Sequence, residues 1–257
     1  MRWPRRQTRL DHRTGLARAL SKLGLCSRSR ARDLITAGRV RVNGDLRRDP
    51  EWPVHLDRDH IEVDEQKVQA ARKIYLMLNK PRGLVTTSKD EQGRGTVFEC
   101  LKDAGLPFLG PVGRLDQASE GLLLFTNDSA WAARITAPSS QLDKVYHVQV
   151  NCLADEHLLR RMEIGLEVDG GFLAVKRARE LRRGGRNCWL EVVLDEGKNR
   201  HLRRLLAGLG VEVLRLVRVS IGALRLGPLA KGQFRHLAQT EVASLDKRHF
   251  LSQPEPK

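Results

Sequence analysis

One aspartate stands where a turn-rich loop meets the start of a buried strand. Asp116 follows the run Gly110-Pro111-Val112-Gly113 and precedes the apolar run Leu122-Leu123-Leu124-Phe125. The scaffold fixes a carboxylate at such a place, and partial removal of water strengthens its reactivity. It can then act as a nucleophile or as a base. Aspartates in loops more often form turns or ion pairs, so position alone leaves the role of Asp116 open.

The chain carries a large excess of positive charge. Its 257 residues include 46 Lys and Arg against 31 Asp and Glu, a formal net charge of +15. A polyanion that binds such a surface exchanges its counterions for these cations, which favours nucleic acid as the partner. Binding to an anionic membrane would require a basic amphipathic helix with bulky apolar residues, and the sequence offers no convincing one. With neither an apolar span nor an apolar export signal, a cytoplasmic location is expected.

The cysteines and histidines show no spacing typical of a metal site. The four cysteines lie far apart, which predicts reduced thiols rather than zinc ligands or a disulfide framework: Cys26, Cys100, Cys152 and Cys188. No glycine-rich loop resembles a phosphate cradle for a nucleotide. We therefore expect neither a metal nor a cofactor.

The first quarter of the chain predicts a small unit of two helices, a hairpin and a strand. The first helix begins near Leu16 and stops at Gly24, and the second is expected over residues 29–37, capped by Ser27. Asn43-Gly44 is a strong signal for a two-residue hairpin turn. A further strand is expected around Ile61, where apolar and polar residues alternate.

Basic side chains flank the second helix and the strand after it: Lys22, Arg28, Arg30, Arg32, Arg39 and Arg41. They predict a phosphate-binding face, with a merely solvated helix surface as the alternative. The run LITAGRVRVNG at residues 34–44 resembles the core of the S-four-type RNA-binding domain, found in a ribosomal protein, some aminoacyl-tRNA synthetases and several RNA-modifying enzymes. The resemblance spans residues 16–64 and implies binding to structured RNA.

The remaining chain mixes strands and helices without regular alternation, which predicts an α+β fold. Strands are expected at residues 74–78, 84–87, 122–126, 145–150, 189–194 and 213–219. Helices are expected at residues 129–136, 155–164, 199–208 and 241–245. The predicted organisation is a basic flexible arm (1–15), the RNA-binding domain (16–66), a linker (67–73), a catalytic domain built on a mixed or antiparallel sheet (74–248) and a flexible tail (249–257).

The segment around Asp116 is similar to a known enzyme signature. Residues 110–128, GPVGRLDQASEGLLLFTND, resemble the signature of pseudouridine synthases, in the RsuA-type branch that acts on small- or large-subunit ribosomal RNA and carries the same RNA-binding domain. Further segments agree in order and spacing: NKPRG (79–83), KVY (144–146), EGKNRHLRRL (196–205) and the stretches 221–229 and 232–237. The departures are His201, where Gln or Glu is more usual, and Gln117-Ala118, where other polar residues are common.

The resemblance implies an isomerase that converts a uridine to pseudouridine in ribosomal RNA or a ribosomal assembly intermediate. The reaction moves ribose C1′ from N1 to C5 of uracil and requires no redox change, so it needs no cofactor. The implied catalytic residues are Asp116, Tyr146 and Arg203. Tyr146 is expected to stack on the target base, and Leu202 to form part of the apolar pocket wall. Arg203, with Arg200 as the fallback, is the expected bidentate partner of the Asp116 carboxylate.

Other basic residues are expected to contact RNA. Lys80 and Arg82 lie in a loop that could face RNA, and a solvated turn is the alternative for both. Arg114 is expected to grip the backbone of a nucleotide that is flipped out of its helix to reach the pocket. For Arg200, phosphate contact or a solvated position is the better interpretation.

Two other functions compete with this one. A non-catalytic RNA-binding or ribosome-assembly protein would share the basic surface, whereas the trio predicted as catalytic favours an enzyme. A glycosidase would need two carboxylates across the scissile bond, and Asp116 with Glu120 is the only nearby pair. The sequence leaves open the route that Asp116 takes, the uridine modified and the ribosomal subunit that carries it. Without a long heptad pattern, a monomer is expected.

Overall fold

The described residues, 13–87 and 92–246 of the computed structural model, divide into two units. The first comprises the described residues up to Arg72 together with Leu106–Leu109, and the second comprises the rest. Each unit has apolar cores of its own.

Two short helices and small strand pairs build the first unit. Its helices are α1 (Leu16–Lys22) and α2 (Arg28–Thr36). The Ser27 Oγ accepts a hydrogen bond from the Arg30 backbone N–H at 3.2 Å, so the predicted N-cap is confirmed. The strands are β1 (Thr14–Gly15), β2 (Val40–Val42), β3 (Asp45–Arg47), β4 (Pro53–Val54), β5 (Ile61–Val63) and β6 (Gln66–Lys67). Leucines of α1 and isoleucine and valine side chains of α2, β2 and β5 meet in its core.

The predicted hairpin is present. Asn43 and Gly44 take φ values of 53° and 88°, the left-handed backbone that a two-residue hairpin turn requires. They connect β2 to β3, and β5 pairs with the other edge of β2, giving the strand order β3-β2-β5-β6. Val40 and Val42 are buried while Arg41 between them is exposed, as the alternating pattern predicts.

The first unit extends further at both ends than the sequence predicts. Residues 1–12 of the expected basic arm lie outside the described residues, and Thr14–Gly15 are not an arm but strand β1, antiparallel to β4. At the other end, Lys67 belongs to β6, and the Ala71 N–H donates to the Leu23 carbonyl at 3.0 Å. Most of the expected linker therefore belongs to the first unit, which extends to Arg72. The expected tail, 249–257, also lies outside the described residues.

A larger sheet forms the framework of the second unit. Its strands are β7 (Tyr75–Lys80), β8 (Gly110–Val112), β9 (Glu120–Thr126), β10 (Lys144–Val150), β13 (Arg177–Arg183), β14 (Cys188–Leu194), β15 (Val213–Ile221), β16 (Leu224–Arg225) and β17 (Phe234–His236), with β11 (Leu166–Val168) and β12 (Gly171–Leu173) as a separate hairpin. The helices are α3 (Ser129–Thr136), α4 (Glu156–Ile164), α5 (His201–Gly208) and α6 (Gln239–Ser244), and short 3₁₀ helices span Val97–Leu101 and Pro138–Ser140.

The central strands of this sheet run in the order β13-β14-β10-β15-β9-β7-β17. All neighbours are antiparallel except β9 and β15, which meet in parallel at Glu120–Val217 and Gly121–Arg218. Helices α4 and α5 cover β10, β13 and β14 with one apolar core, and α3 and α6 cover β7, β8 and β9 with another. The sheet is therefore mixed, and the predicted α+β class is confirmed.

One expected strand is absent, and one long strand of the sheet was not predicted. Residues 84–87 do not form a strand, and only an isolated bridge joins Val85 to Thr96. Strand β13 was not predicted, because four of its seven residues are arginines and only Ala178 is buried. A strand at the edge of a sheet can carry charge on its exposed positions, so its sequence lacks the apolar alternation that identifies other strands.

Candidate active site

A cavity of about 400 Å³ opens beside the loop that joins β8 to β9. This loop, residues 113–119, is called the Asp116 loop below. The cavity walls come from the Asp116 loop, the start of β10, the middle of β15 and residues 196–203, which lead into α5. Asp116 lines the cavity and is half-buried.

Lys80 holds the Asp116 loop from beneath. It is the last residue of β7, and its side chain is fully buried. The Nζ donates to the carbonyl oxygens of Ser119 at 2.8 Å and of Asp116 at 3.1 Å, and also to that of Pro81 at 3.1 Å. The expected contact of Lys80 with RNA is therefore wrong, since RNA cannot reach a buried ammonium. Burial lowers the pKa of Lys80 to about 8, against the opposing effect of the Asp116 and Glu120 carboxylates.

Other parts of the chain hold the loop in the same way. Each carbonyl from residue 115 to residue 119 accepts a hydrogen bond from a group outside the loop. The donors besides Lys80 are Thr86 Oγ1 to Leu115 at 2.7 Å, the Gly83 N–H to Gln117 at 2.8 Å, and Arg203 Nη2 to Ala118 at 3.1 Å. The backbone around Asp116 is thus held at each carbonyl from residue 115 to residue 119, as precise positioning of a reactive group requires.

Arg203 lies in the first turn of α5 and lines the cavity. Its guanidinium donates to the carbonyls of Ala118 at 3.1 Å and Val213 at 3.3 Å, and in the described part of the chain it makes no ion pair. The expected bidentate contact with Asp116 is therefore not formed. Burial and the Arg200 charge lower the pKa of Arg203, while the Asp116 carboxylate raises it, so the two groups interact through space.

Tyr146 and Leu202 form the apolar side of the cavity. Tyr146 is the third residue of β10 and half-buried, and its ring packs against the core in which Leu202 is buried. Both side chains line the cavity with Asp116 and Arg203. The structure thus brings the residues predicted as catalytic, and the predicted wall residue, to one place.

Basic residues surround the opening of the cavity. Arg114 and Arg200 line it and are exposed, and Arg200 has a left-handed backbone (φ 48°) immediately before α5. Arg82 is also exposed, in the loop after β7, but is not among the residues that line the cavity. A phosphate backbone that approaches the opening therefore meets positive charge.

The arginines predicted to bind RNA in the first unit are all exposed, but differ in their partners. Arg39 forms a bidentate ion pair with Asp64, and Arg32 contacts Glu51 at 3.2 Å. Arg41 donates to the Gly44 carbonyl at 2.9 Å. The other two, in the first turn of α2, make no ion pair among the described residues: Arg28 and Arg30.

Several residues that line the cavity carry buried polar atoms with no hydrogen-bond partner within the described protein: Ser119 Oγ, both ring nitrogens of His201, Arg203 Nε and Arg218 Nη2. Buried polar atoms in proteins are nearly always paired, so several unpaired atoms around one cavity are unusual. These residues come from three different elements and line the same cavity. The cavity is therefore suited to a polar ligand that supplies the missing partners.

Arg218 and Thr86 were not singled out from the sequence. Arg218 sits on β15 between the buried residues Leu216 and Ser220, so the two-residue period of the strand places it on the inward face. That position could have identified it, since arginine is rarely buried. Thr86 gave no such signal. His201, noted as a departure from the family pattern, is buried with Nδ1 3.5 Å from Glu196, and burial lowers its pKa.

The arrangement suits the action of one carboxylate, as a nucleophile or as a base, on a planar polar ring or its sugar. Asp116 faces a cavity with an aromatic ring on one wall and arginines on others. Glu120 does not supply a second reactive carboxylate, because it is buried and paired with Arg215 at 2.7 Å and Lys231 at 2.6 Å. The paired carboxylates of a glycosidase are thus not formed by these two residues.

Metal-ligand clusters and membrane-spanning helices are both absent from the described residues. These residues contain no group of three or more His, Cys, Asp or Glu side chains placed to hold a metal ion. Within 13–87 and 92–246, no helix is long and apolar enough to cross a membrane.

Comparison with known proteins gives a consistent result. Residues 74–208 match the RNA pseudouridylate synthase family, and residues 14–61 match the S4 domain. An RNA pseudouridine synthase of Aquifex aeolicus, itself uncharacterized, is 41% identical over 229 residues, 89% of this chain and 92% of the relative. The ribosomal large subunit pseudouridine synthase B of Bacillus subtilis is 33% identical over 232 residues, 90% of this chain and 94% of the relative.

A solved structure agrees with these sequence matches. The crystal structure of a pseudouridylate synthase superposes with a TM-score of 0.63 at 28% identity, covering 90% of this chain and 99% of the other. The family predicted from residues 110–128 and the RNA-binding domain predicted from residues 34–44 are both confirmed. The chain therefore belongs to the RNA pseudouridine synthases of the RsuA type, isomerases that carry an S4 RNA-binding domain ahead of the catalytic domain.

Proposed function

We propose that this enzyme converts one uridine of large-subunit ribosomal RNA to pseudouridine in the cytoplasm, with Asp116 as its essential carboxylate and no cofactor. The RNA target is inferred from the Bacillus subtilis relative, whose name assigns it to the large ribosomal subunit. The observation that carries the catalytic assignment is the position of Asp116, a half-buried carboxylate on a loop held at each of its carbonyls from residue 115 to residue 119.

The reaction needs few groups from the protein. The bond from ribose C1′ to N1 breaks, the uracil turns, a bond from C1′ to C5 forms, and the proton on C5 leaves to a base or to water. Asp116 serves by attack on the sugar, by attack on the base or by removal of a ribose proton. Each route needs an ionised carboxylate within reach of a nucleotide that has left its helix.

The other cavity residues take supporting roles in this proposal. Tyr146 offers its ring to the uracil, and Leu202 completes the apolar wall. Arg203 fixes the Asp116 loop through the Ala118 carbonyl and supplies positive charge near the carboxylate. Arg114, exposed at the opening, contacts the backbone of the flipped nucleotide.

Replacing Asp116 tests the catalytic assignment. Asp116→Asn removes the negative charge and nearly preserves the shape, so we expect conversion to fall by about 10⁴-fold, the upper end of the contribution of a general acid or base. RNA binding should change little, because the cations remain. Asp103→Asn, at an exposed aspartate of the same unit, is the matched control. Pseudouridine formed by purified Asp116→Asn at the normal rate would disprove the assignment.

Mapping pseudouridines in cells that lack the enzyme tests the target. Comparison of ribosomal and transfer RNA from deleted and complemented strains should show one position that loses its pseudouridine, in large-subunit RNA. Loss confined to small-subunit RNA or to transfer RNA would contradict the proposed target while leaving the isomerase activity intact.

A further inference from the structure

Arg218 is a buried cation that the functions proposed above do not use. It lies on β15 with 6% of its surface exposed and lines the same cavity as Asp116. Its Nε donates to the Leu122 carbonyl at 2.8 Å, which fixes the plane of the guanidinium. Its Nη2 is buried and has no acceptor in the described protein. A charged donor without a partner is costly to bury, so its position calls for a ligand.

No carboxylate of the described residues neutralises Arg218. The charge of Arg218 acts on another cation, Lys144, whose pKa is lowered by burial and by the Arg218 charge. Lys144 itself donates to the Asp195 carbonyl at 2.8 Å. Arg218 therefore differs from Arg215 on the same strand, which forms two hydrogen bonds with Glu120. A structural ion pair does not explain why Arg218 is buried.

The position of Arg218 relative to Tyr146 indicates which part of a ligand would contact Arg218. The two residues are direct cross-strand partners between β10 and β15, and both line the cavity. Such partners stand side by side on one face of a sheet, about 5 Å apart at Cβ. A base stacked on the Tyr146 ring would therefore present its edge to the neighbouring guanidinium. The phosphates would stay at the opening, where Arg114 and Arg200 are exposed.

We propose that Arg218 is a base-recognition residue whose free Nη2 donates a hydrogen bond to a carbonyl oxygen of the target uracil. This inference rests on the proposed function, since it takes the base to stack on Tyr146. Uracil suits the site because it presents an acceptor at both carbonyls, whereas cytosine carries a donor amino group in place of O4 and would oppose an arginine at that edge.

The chemistry of the reaction makes one fixed donor useful throughout. When the uracil turns by half a revolution about the line through N3 and C6, C5 takes the place of N1. The same rotation exchanges O2 and O4. A donor that holds one carbonyl before the turn therefore meets the other carbonyl after it. Arg218 can thus hold the base in both orientations without moving.

Sulfur substitution in the RNA tests this inference on the intact protein. The probe is a stem-loop that contains the mapped uridine, with oxygen, 2-thio or 4-thio at that base, and binding is measured with Asp116→Asn protein. One of the two sulfur probes should bind about 10-fold more weakly than the oxygen probe, because sulfur is a poor acceptor for a charged donor. Equal affinity for all three probes would overturn the proposal.

Variants of Arg218 test whether the weaker binding of the sulfur probe depends on this residue. In Asp116→Asn protein that also carries Arg218→Met, the sulfur penalty should fall below about 2-fold, since the donor is gone. Arg225→Met, at an exposed arginine of β16, is the matched control and should keep the full penalty. If Arg218→Met does not fold, as judged by thermal melting, Arg218→Leu replaces it, because leucine also removes the donor. A penalty that persists without Arg218 would contradict the proposal.

The two proposals fail in different ways. If Asp116→Asn still converts the oxygen probe, the catalytic role of Asp116 is wrong, and the same comparison of probes is made on first-turnover rates. If Asp116→Asn loses activity as expected but binds the oxygen and sulfur probes equally well, only the role of Arg218 is rejected.

Discussion

At the scale of single residues, Lys80 shows how the site is supported by a group that never touches the substrate. Its ammonium is fully buried and donates to three carbonyls, those of Asp116 and Ser119 in the Asp116 loop and that of the next residue along the chain, Pro81. Only the protonated ammonium can donate to three carbonyls, because a neutral amine has only two N–H groups. The geometry of the Asp116 loop therefore depends on a proton that burial makes easier to lose.

This dependence predicts how activity changes with pH. The folded pKa of Lys80 is about 8, so the protonated amine is present below that pH and is lost as pH rises through it. We expect the single-turnover rate of conversion to fall above about pH 8. In Lys80→Met the rate should be lower throughout and should lack this fall. If the rate falls above about pH 8 in the same way in the wild-type protein and in Lys80→Met, on the same RNA, the titration belongs to another group.

The same shift has the opposite effect on stability. The ordinary pKa of 10.5 applies to the unfolded chain, so between about pH 8 and 10.5 the unfolded state binds more protons at Lys80 than the folded state. The contribution of this residue to the free energy of unfolding therefore rises with pH across that window. A basic pH that weakens the loop would thus not weaken the fold through Lys80.

Some residues of the site could be predicted from the sequence, and others could not, for a physical reason. Asp116, Tyr146 and Leu202 stand in motifs whose order and spacing pointed to one cavity. Lys80 looked like a surface lysine, because a lysine before proline and glycine usually lies in an exposed turn. Its burial follows from β7 pairing with β9 beneath the Asp116 loop, which is a tertiary contact that no local pattern encodes.

At the scale of elements, one glycine allows β9 and β15 to pair. Gly121 has a φ of 100°, and an added Cβ would lie 2.2 Å from the backbone oxygen of Arg218. No side-chain rotation can relieve a clash with backbone. The parallel contact that places Arg218 beside the start of β9 therefore requires glycine at this position.

Gly121→Ala should accordingly be strongly destabilising. We expect the free energy of unfolding to fall by about 3 kcal/mol, the sum of left-handed strain and overpacking. Gly110→Ala in β8 is the matched control, since its added Cβ would meet nothing closer than 3.8 Å. Denaturant titration of both variants measures the difference. Equal stability of the two would show that β9 and β15 can separate without cost.

Helix α2 offers the clearest test of RNA binding by the S4 domain. Arg28 and Arg30 make no ion pair among the described residues, whereas Arg32 on the same helix contacts Glu51. Replacing the two unpaired arginines with alanine should weaken RNA binding at any sequence. It should also reduce the slope of log affinity against log salt by about 1 for each phosphate that the protein no longer binds. Arg32→Ala should change the slope less, and the reverse order would place the RNA elsewhere.

Elements were predictable where the apolar period was clear. Helix α3 has the predicted bounds, and the strands β9, β10, β14 and β15 were each found within a few residues of their expected limits. The period disappears where an element has little to bury. Strand β13 is mostly arginine, and residues 84–87 serve the site through the hydroxyl of Thr86 rather than through a ladder.

At the scale of the whole molecule, positive charge is spread over two units that have separate cores. The core of the first unit includes no residue from the second, and the reverse also holds. The net charge of +15 makes RNA binding depend on salt for the protein as a whole. Each unit should contribute part of the salt dependence of RNA binding.

Deleting residues 1–66 should separate the contributions of the two units. The shortened protein is expected to bind the mapped RNA more weakly and with a smaller salt slope, because fewer phosphates are contacted. Affinity would be measured at several salt concentrations, with circular dichroism to establish that the remaining chain is folded. A salt slope equal to that of the full chain would mean that the basic face of the first unit does not bind RNA.

The backbone bonds around Asp116 have a consequence for how the sequence can vary. Since the carbonyls of residues 115–119 are held by Thr86, Lys80, Gly83 and Arg203, the shape of the loop is encoded mainly outside it. The side chains of Gln117 and Ala118 do not take part in these bonds. Mutational tolerance should therefore be high at those two positions and low at the distant donors, so that the loop can change its residues while keeping its conformation.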